Sequence, residues 1–120
     1  MRDRLFVAID KAGAVPLALA PLGHRALATA KPVRTPDDVR GLGVRIAASR
    51  YLADFYAGLG AQPRTMAFAD AAAAFRTGIL DAQEGPVAAM VATRVDSLGL
   101  RHVTLWGAVA ELAVFAVGRG

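Results

Sequence analysis

Two groups of residues in this 120-residue chain have types that could do chemistry. Arg45 stands in the run G-L-G-V-R-I, where a strand is expected and a charge is unusual. A polar cluster follows at the end of the stretch Pro63 to Pro86, namely Asp81, Gln83, Glu84, Gly85 and Pro86. A planar guanidinium donates two parallel hydrogen bonds to a carboxylate. The pattern therefore predicts a site for a small organic anion.

The chain offers no arrangement that is typical of an enzyme. Catalysis would need a nucleophile with its base, a pair of carboxylates, or a phosphate-binding glycine loop. His24 and His102 are the only histidines, and neither has a partner at a meaningful spacing. Asp81 and Glu84 could imitate an acid–base pair, which is the weaker alternative. We expect a binding protein rather than an enzyme.

Composition narrows the class of protein further. The hydrophobic fraction of 55% argues against disorder, and the net charge of +4 comes from scattered residues, no two of which are adjacent Lys or Arg. A basic nucleic-acid-binding domain is therefore a minor alternative. The chain has no cysteine, which excludes disulfides and thiolate metal sites. We expect no cofactor, no metal and no nucleic-acid partner. We also expect no membrane insertion, because no apolar run approaches the roughly 18 residues that span a bilayer.

The N-terminal region resembles a secretory signal only faintly. Arg2 and Arg4 precede an apolar patch at 12–22. Acidic residues lie in the segment that precedes the apolar patch, and Pro16 and Pro21 interrupt the patch itself. We therefore expect a strand with a bend at each proline and no credible signal peptide.

Alternating patterns along the chain predict an α/β fold with a largely parallel sheet. Strands are predicted at 5–9, 13–20, 43–47, 65–68, 102–106 and 110–117, with a loop at 21–25. Helices are predicted from Thr35 to about Gly41, from Ser49 to Leu59, at 69–76, and from Pro86 onward. Thr35 and Ser49 suit the N-cap position, since their hydroxyls can accept a hydrogen bond from the first turn.

Three blocks in order resemble a known family. They are K-P-V-R-T-P-D-D-V-R-G-L-G-V-R-I, F-Y-A-G-L-G-A-Q-P-R-T-M-A-F-A-D and T-G-I-L-D-A-Q-E-G-P. Together they make the span from about Ala14 to Val117 similar to the substrate-binding subunit of tripartite ATP-independent periplasmic (TRAP) transporters, the DctP-like family.

The resemblance implies a periplasmic-binding-protein-like architecture of two α/β lobes that close around an organic acid. Residues 1–120 would form one partial domain, mainly the second lobe, with a segment near 110–117 crossing back to the first lobe. The chain would be an incomplete central piece of a periplasmic carboxylate-binding protein that delivers its ligand to TRAP membrane subunits. The alternative is a truncated remnant that does not bind ligand by itself.

The resemblance also assigns roles to individual residues. Arg45 matches the arginine that binds the substrate carboxylate, and Arg25 matches a second arginine that contacts ligand in some members. Phe68 matches an aromatic residue that packs against the ligand. Gly85 stands where the family commonly has an asparagine whose amide binds the ligand, so this side-chain hydrogen bond is missing here.

Gln83 and Glu84 carry two competing interpretations. Side chains in this region help to hold a cation beside the substrate in some keto-acid-binding relatives, and oxygen ligands suit a hard cation. The favoured alternative is a helix-entry capping and hinge motif before Pro86. Asp81 is expected to stabilise the turn that precedes them.

Overall fold

The structure is a computed structural model that describes all 120 residues. Its helices are α1 (Arg2–Lys11), α2 (Arg50–Gly58), α3 (Phe68–Arg76) and α4 (Val87–Ala92), with short 3-10 helices at Pro36–Val39 and Val95–Leu98. Its strands are β1 (Ala14–Thr29), β2 (Gly43–Ile46), β3 (Gln62–Thr65), β4 (Ala82–Pro86) and β5 (His102–Gly118). None of the helices is long and apolar enough to cross a bilayer.

The five strands form one sheet in the order β3-β2-β4-β1-β5. β2 pairs in parallel with both β3 and β4, whereas β1 pairs antiparallel with β4. The helices between β2, β3 and β4 make the crossovers that parallel strands require. The predicted α/β fold with a mostly parallel sheet is confirmed.

The chain divides into two compact units. One consists of residues 1–24 and 110–120, and none of its residues is fully buried. The other, Arg25–Val109, contains every buried residue. The division at Ala110 falls at the start of the predicted crossing segment, while the assignment of the chain to a second lobe stays a prediction.

The core of the Arg25–Val109 unit lies on both faces of the sheet. Leu27 packs in a cluster with Val44, Tyr56 and other residues of β2, α2 and β4. Ala26 and Ala28 pack in a second cluster with Met90, Val95 and Leu100. Neighbouring residues of β1 thus serve opposite faces, as the two-residue period of a strand requires.

Local capping signals are reproduced by the structure. Ser49 is the N-cap of α2, and its Oγ accepts a hydrogen bond from the Leu52 N–H at 3.4 Å. Thr35 is the N-cap of the first 3-10 helix, and the Asp38 carboxylate accepts N–H bonds from Arg34 and Thr35 at 2.8 and 2.9 Å. Residues close in sequence determine both caps, which explains why the pattern predicts them.

Several predicted elements are wrong. Residues 5–9 lie in α1 rather than in a strand; Leu5, Phe6 and Ile9 are its half-buried positions at helical spacing, and a five-residue window is too short to reveal that period. The predicted loop at 21–25 belongs to β1, and the two predicted C-terminal strands are one strand, β5. The strand predicted at 65–68 ends at Thr65, so Phe68 opens α3.

Gly43 at the start of β2 lies close to the loop before β4. A Cβ at this position would be 2.2 Å from the Ile79 carbonyl oxygen, a backbone atom. The Gly43 N–H donates to Asp81 Oδ2 at 2.9 Å, and its carbonyl accepts from the Asp81 N–H at 2.8 Å. Asp81 thus links two segments distant in sequence, which is a longer-range role than the expected turn.

We predict that Gly43→Ala lowers the free energy of unfolding by about 1–3 kcal/mol, because the backbone must shift to admit the methyl group. Gly58→Ala is the matched control, since a Cβ there meets nothing within 4 Å in α2. The control should raise stability by about 0.4–1 kcal/mol. Urea unfolding followed by the fluorescence of Trp106, the single tryptophan, measures both changes. Equal stabilities of the two variants would contradict the close approach.

Candidate functional site

The residues predicted for the site meet around one cavity of about 190 Å³. Its lining comes entirely from the Arg25–Val109 unit: Arg25, Arg45, Ala47, Phe68, Gln83, Glu84, Gly85, Pro86, Ala89, Met90 and Thr93. The volume lies below the roughly 300–1,000 Å³ of pockets for drug-sized ligands. The cavity therefore has room for a small molecule only.

The sheet brings these residues together at the carboxyl ends of β2 and β4. Arg45 of β2 is the register partner of Gln83 on β4, and Arg25 of the antiparallel β1 is the partner of Pro86. Ligands of open α/β sheets bind at this edge of the sheet, beyond the ends of the parallel strands. The cavity has the position expected of a binding site in this architecture.

Arg25 and Glu84 form a buried, two-pronged ion pair. Arg25 Nη2 donates to Glu84 Oε2 at 3.0 Å, and Arg25 Nε donates to Glu84 Oε1. The side chain of Glu84 is 1% exposed and that of Arg25 15%. The two residues are diagonal neighbours on one face of the β1–β4 pair, because Arg25 pairs with Pro86 two residues beyond Glu84. Glu84 therefore neutralises Arg25 at the cavity wall.

Arg45 is the second arginine of the cavity and has no carboxylate partner. Its Nε donates to the Met66 carbonyl oxygen at 3.0 Å, and its guanidinium carbon lies 5.5 Å from the ring centroid of Phe68. Burial lowers the pKa of the Arg45 guanidinium, and the charge of Glu84 opposes that shift. The Nε bond and the aromatic ring hold the side chain in place, while its terminal Nη groups have no hydrogen-bond partner. This geometry suits an anion-binding arginine.

Gln83 contributes a buried polar atom without a partner. Its Nε2 donates to the Glu84 carbonyl oxygen at 2.6 Å, which directs Oε1 the other way. Oε1 is buried and has no hydrogen-bond donor. An unsatisfied buried acceptor is uncommon in native structures and is costly. Next to it, a Cβ added at Gly85 would lie 3.9 Å from Arg25 Nη2 and 4.0 Å from Gln83 Nε2, so the absent side chain leaves space beside both.

Comparison with known proteins decides the family. The profile of DctP, described as bacterial extracellular solute-binding protein, family 7, matches residues 1–98. The chain belongs to this family. The chain is similar to a solute-binding protein of Verminephrobacter eiseniae, 30% identical over 118 residues, which are 98% of this chain and 35% of the relative. The C4-dicarboxylate-binding periplasmic protein DctP of Rhodobacter capsulatus is 31% identical over 81% of this chain and 29% of its own length.

Solved structures of TRAP periplasmic solute-binding proteins have the same fold. One from Ralstonia eutropha H16, with bound (S)-2-acetolactate, superposes with a TM-score of 0.85 and is 35% identical, covering 98% of this chain and 38% of that one. Another from Polaromonas, bound to D-erythronate, has a TM-score of 0.82 and 27% identity, with coverages of 98% and 39%. The chain thus spans only 29% to 39% of the length of these four relatives.

Gln83 and Glu84 do not cap α4, so the capping part of that interpretation is wrong, while a hinge role stays a prediction. Both lie inside β4, and the N-cap of α4 is Pro86, without a side-chain capping bond. The Q-E-G-P pattern suggested the start of a helix, but pairing with β1 extends strand β4 to Pro86. A local pattern does not show this pairing. A cation site here stays a prediction, although both oxygens of Glu84 are occupied by Arg25.

Helix α4 forms a part of the cavity wall that the sequence did not predict. Ala89 and Met90 of α4 line it, together with the residues at its two caps, Pro86 and Thr93. Their spacing of three or four residues places them on one face of the helix. The same spacing was available in the sequence, but it could not show which face points to the cavity.

A second cavity, of about 280 Å³, is lined by Thr29, Ala30, Lys31, Pro32, Val33, Asp38, Leu42 and Asp81. Backbone N–H groups occupy an oxygen of each of its carboxylates, namely Asp38 and Asp81. Asp38 thus stabilises the start of its own 3-10 helix, and Asp81 links the start of β2 to the segment before β4. The cavity that contains Arg45 is therefore the better candidate site.

We predict that removing the buried carboxylate of Glu84 lowers the free energy of unfolding much more than removing the exposed carboxylate of Asp54. Glu84→Ala should lower the free energy of unfolding by about 3–5 kcal/mol, because it removes a buried carboxylate that accepts two hydrogen bonds from the partly buried Arg25. Asp54→Ala is the control. It removes an ion pair in which Arg50 Nε lies 3.7 Å from Asp54 Oδ2, with the Arg50 side chain 95% exposed and that of Asp54 74% exposed. Because exposed pairs contribute little, the free energy of unfolding should hardly change. Urea unfolding measures both. Similar small effects would show that the pair contributes little to the fold.

Proposed function

We propose that the cavity binds the carboxylate of a small organic acid through Arg45. The observation that carries this proposal is an arginine held by Met66 and Phe68 whose Nη groups point to no protein acceptor. Two parallel N–H donors match the two oxygens of a carboxylate and fix its orientation. Phe68 and Met90 offer apolar surface for the carbon skeleton of the ligand.

The ligands of the relatives support an organic acid. The Ralstonia protein holds acetolactate and the Polaromonas protein holds erythronate, which are both carboxylates. The Rhodobacter relative is named for binding C4-dicarboxylates. At 27–35% identity these proteins support the class of ligand, while the particular acid depends on side chains that differ between them.

We further propose that the protein acts outside the cytoplasmic membrane as the solute-capturing component of a TRAP transporter and passes its ligand to the membrane subunits. Membership of the extracellular solute-binding family supports this role. Solute-binding proteins of two lobes draw contacts from both sides of a cleft. We therefore expect the 120-residue chain to bind organic acids weakly. Micromolar affinity of the chain for an organic acid would contradict the need for contacts from a second lobe.

Arg45→Lys should weaken binding of a small carboxylate about 10- to 100-fold, because a lysine keeps the charge and loses the fork. Arg64→Lys is the matched control: Arg64 is the register partner of Arg45 on β3, is exposed, and does not line the cavity. Titration of the 15N-labelled chain with a panel of monocarboxylates, followed by amide chemical shifts, detects weak binding as well as tight binding.

The expected shift changes lie at Arg45, Phe68 and Gly85. Equal affinities of the Arg45→Lys variant and the unmodified chain would remove Arg45 from the site. Shift changes confined to other parts of the chain, or none with any carboxylate, would overturn the proposed function itself.

A further inference from the structure

We propose that Gln83 Oε1 accepts a hydrogen bond from the hydroxyl group of a 2-hydroxy acid whose carboxylate lies on Arg45. This inference rests on the proposed carboxylate site and adds a second polar contact to it. Gln83 is only 5% exposed, and its Oε1 has no hydrogen-bond donor in the protein. A buried acceptor without a donor is costly. A ligand hydroxyl would supply the missing donor.

The backbone determines which end of the Gln83 amide is free. Gln83 Nε2 donates to the Glu84 carbonyl oxygen at 2.6 Å. Turning the amide over would place Oε1 against that carbonyl oxygen, and two acceptors at hydrogen-bond distance repel each other. The side chain therefore offers the ligand an acceptor and not a donor.

Gln83 projects from the same face of the sheet as Arg45. The two residues are register partners on the parallel neighbours β4 and β2, and neighbouring strands lie about 4.7–4.9 Å apart. Both residues line the cavity. A carboxylate held by the Nη groups of Arg45 therefore has its adjoining carbon, C2, on the side of the cavity where Gln83 lies. The hydroxyl group of a 2-hydroxy acid is attached to this carbon.

Gly85 leaves room beside the Gln83 amide. It lines the cavity, and a Cβ added there would lie 4.0 Å from Gln83 Nε2. The terminal torsion of a glutamine side chain has a broad minimum, so the amide can turn toward a hydroxyl at low cost. The 2.6 Å bond to the Glu84 carbonyl can lengthen by roughly 0.3 Å and remain a normal hydrogen bond. Gln83 can thus reach the ligand and keep its backbone contact.

An acceptor at this place distinguishes three acids of similar size. Lactate carries a hydroxyl donor at C2, pyruvate carries only an acceptor there, and propionate carries neither. The group that makes the distinction is uncharged. The contact therefore places no restriction on a second carboxylate elsewhere on the ligand.

The first test compares these acids on the unmodified chain. In titrations of the 15N-labelled protein, we expect the better-binding enantiomer of lactate to bind about 3- to 10-fold more tightly than propionate or pyruvate. The side-chain amide signal of Gln83 should shift with lactate and not with propionate. Equal dissociation constants for the three acids would overturn the inference and leave the carboxylate site intact, because water would then satisfy Oε1 equally well. Binding of no carboxylate at all would instead overturn the proposed function.

The cation of the buffer separates a hydroxyl contact from a cation site. The titrations are repeated with tetramethylammonium in place of sodium, and the preference for lactate should stay the same because a hydroxyl contact needs no metal. Tighter binding of pyruvate than of lactate in sodium, lost in tetramethylammonium, would show that Oε1 binds a cation instead. That result would overturn the inference.

The second test removes the acceptor. Gln83→Met has a similar length and no amide oxygen, so the ratio of lactate to propionate affinity should fall to about one. Gln62→Met is the matched control: Gln62 is an exposed glutamine on β3 that does not line the cavity, and its variant should keep the preference for lactate. A retained preference in folded Gln83→Met, or a lost one in Gln62→Met, would contradict the role of Gln83.

Circular dichroism and Trp106 fluorescence show whether each variant is folded. Gln83→Met also removes a donor from the Glu84 carbonyl and is the variant at risk of unfolding. If it does not fold, the three acids and the side-chain signal of Gln83 in the unmodified chain still decide the inference.

Discussion

The buried ion pair between Arg25 and Glu84 is the interaction on which the rest of the site depends. A carboxylate that is 1% exposed can be accommodated only beside a cation, and Arg25 supplies both charge and two N–H donors. The pair links β1 to β4 and defines one wall of the cavity. Arg45, the other arginine of the cavity, has no carboxylate partner.

The topology of the sheet turns these separate residues into a site. β2 and β4 are parallel neighbours, so that their carboxyl ends meet at one edge and place Arg45 beside Gln83. β1 runs antiparallel to β4 and brings Arg25 to the same edge. α4 starts directly after β4 and closes the cavity with Met90. All the residues that line the cavity belong to the Arg25–Val109 unit.

Much of the Arg25–Val109 unit could be predicted from short-range patterns. The caps at Thr35 and Ser49 depend on residues within one turn, and β2, α2 and α3 have apolar spacing that a short window reveals. The unit of residues 1–24 and 110–120 was predicted less well. It has no fully buried residue, so its apolar pattern is weak, and α1 and the long strands β1 and β5 were misread.

By itself, the sequence determined the fold class, the family resemblance and the identity of the candidate residues, because these are carried by residue types at short spacing. It identified Arg45 as an unusual charge in a strand and Gln83 and Glu84 as polar residues near it. Only the tertiary structure decided their partners. Arg25 and Glu84 are 59 residues apart in the chain, and Gly43 and Asp81 are 38 apart. Strand pairing creates such contacts, and a local pattern contains no information about which strand becomes the neighbour of which.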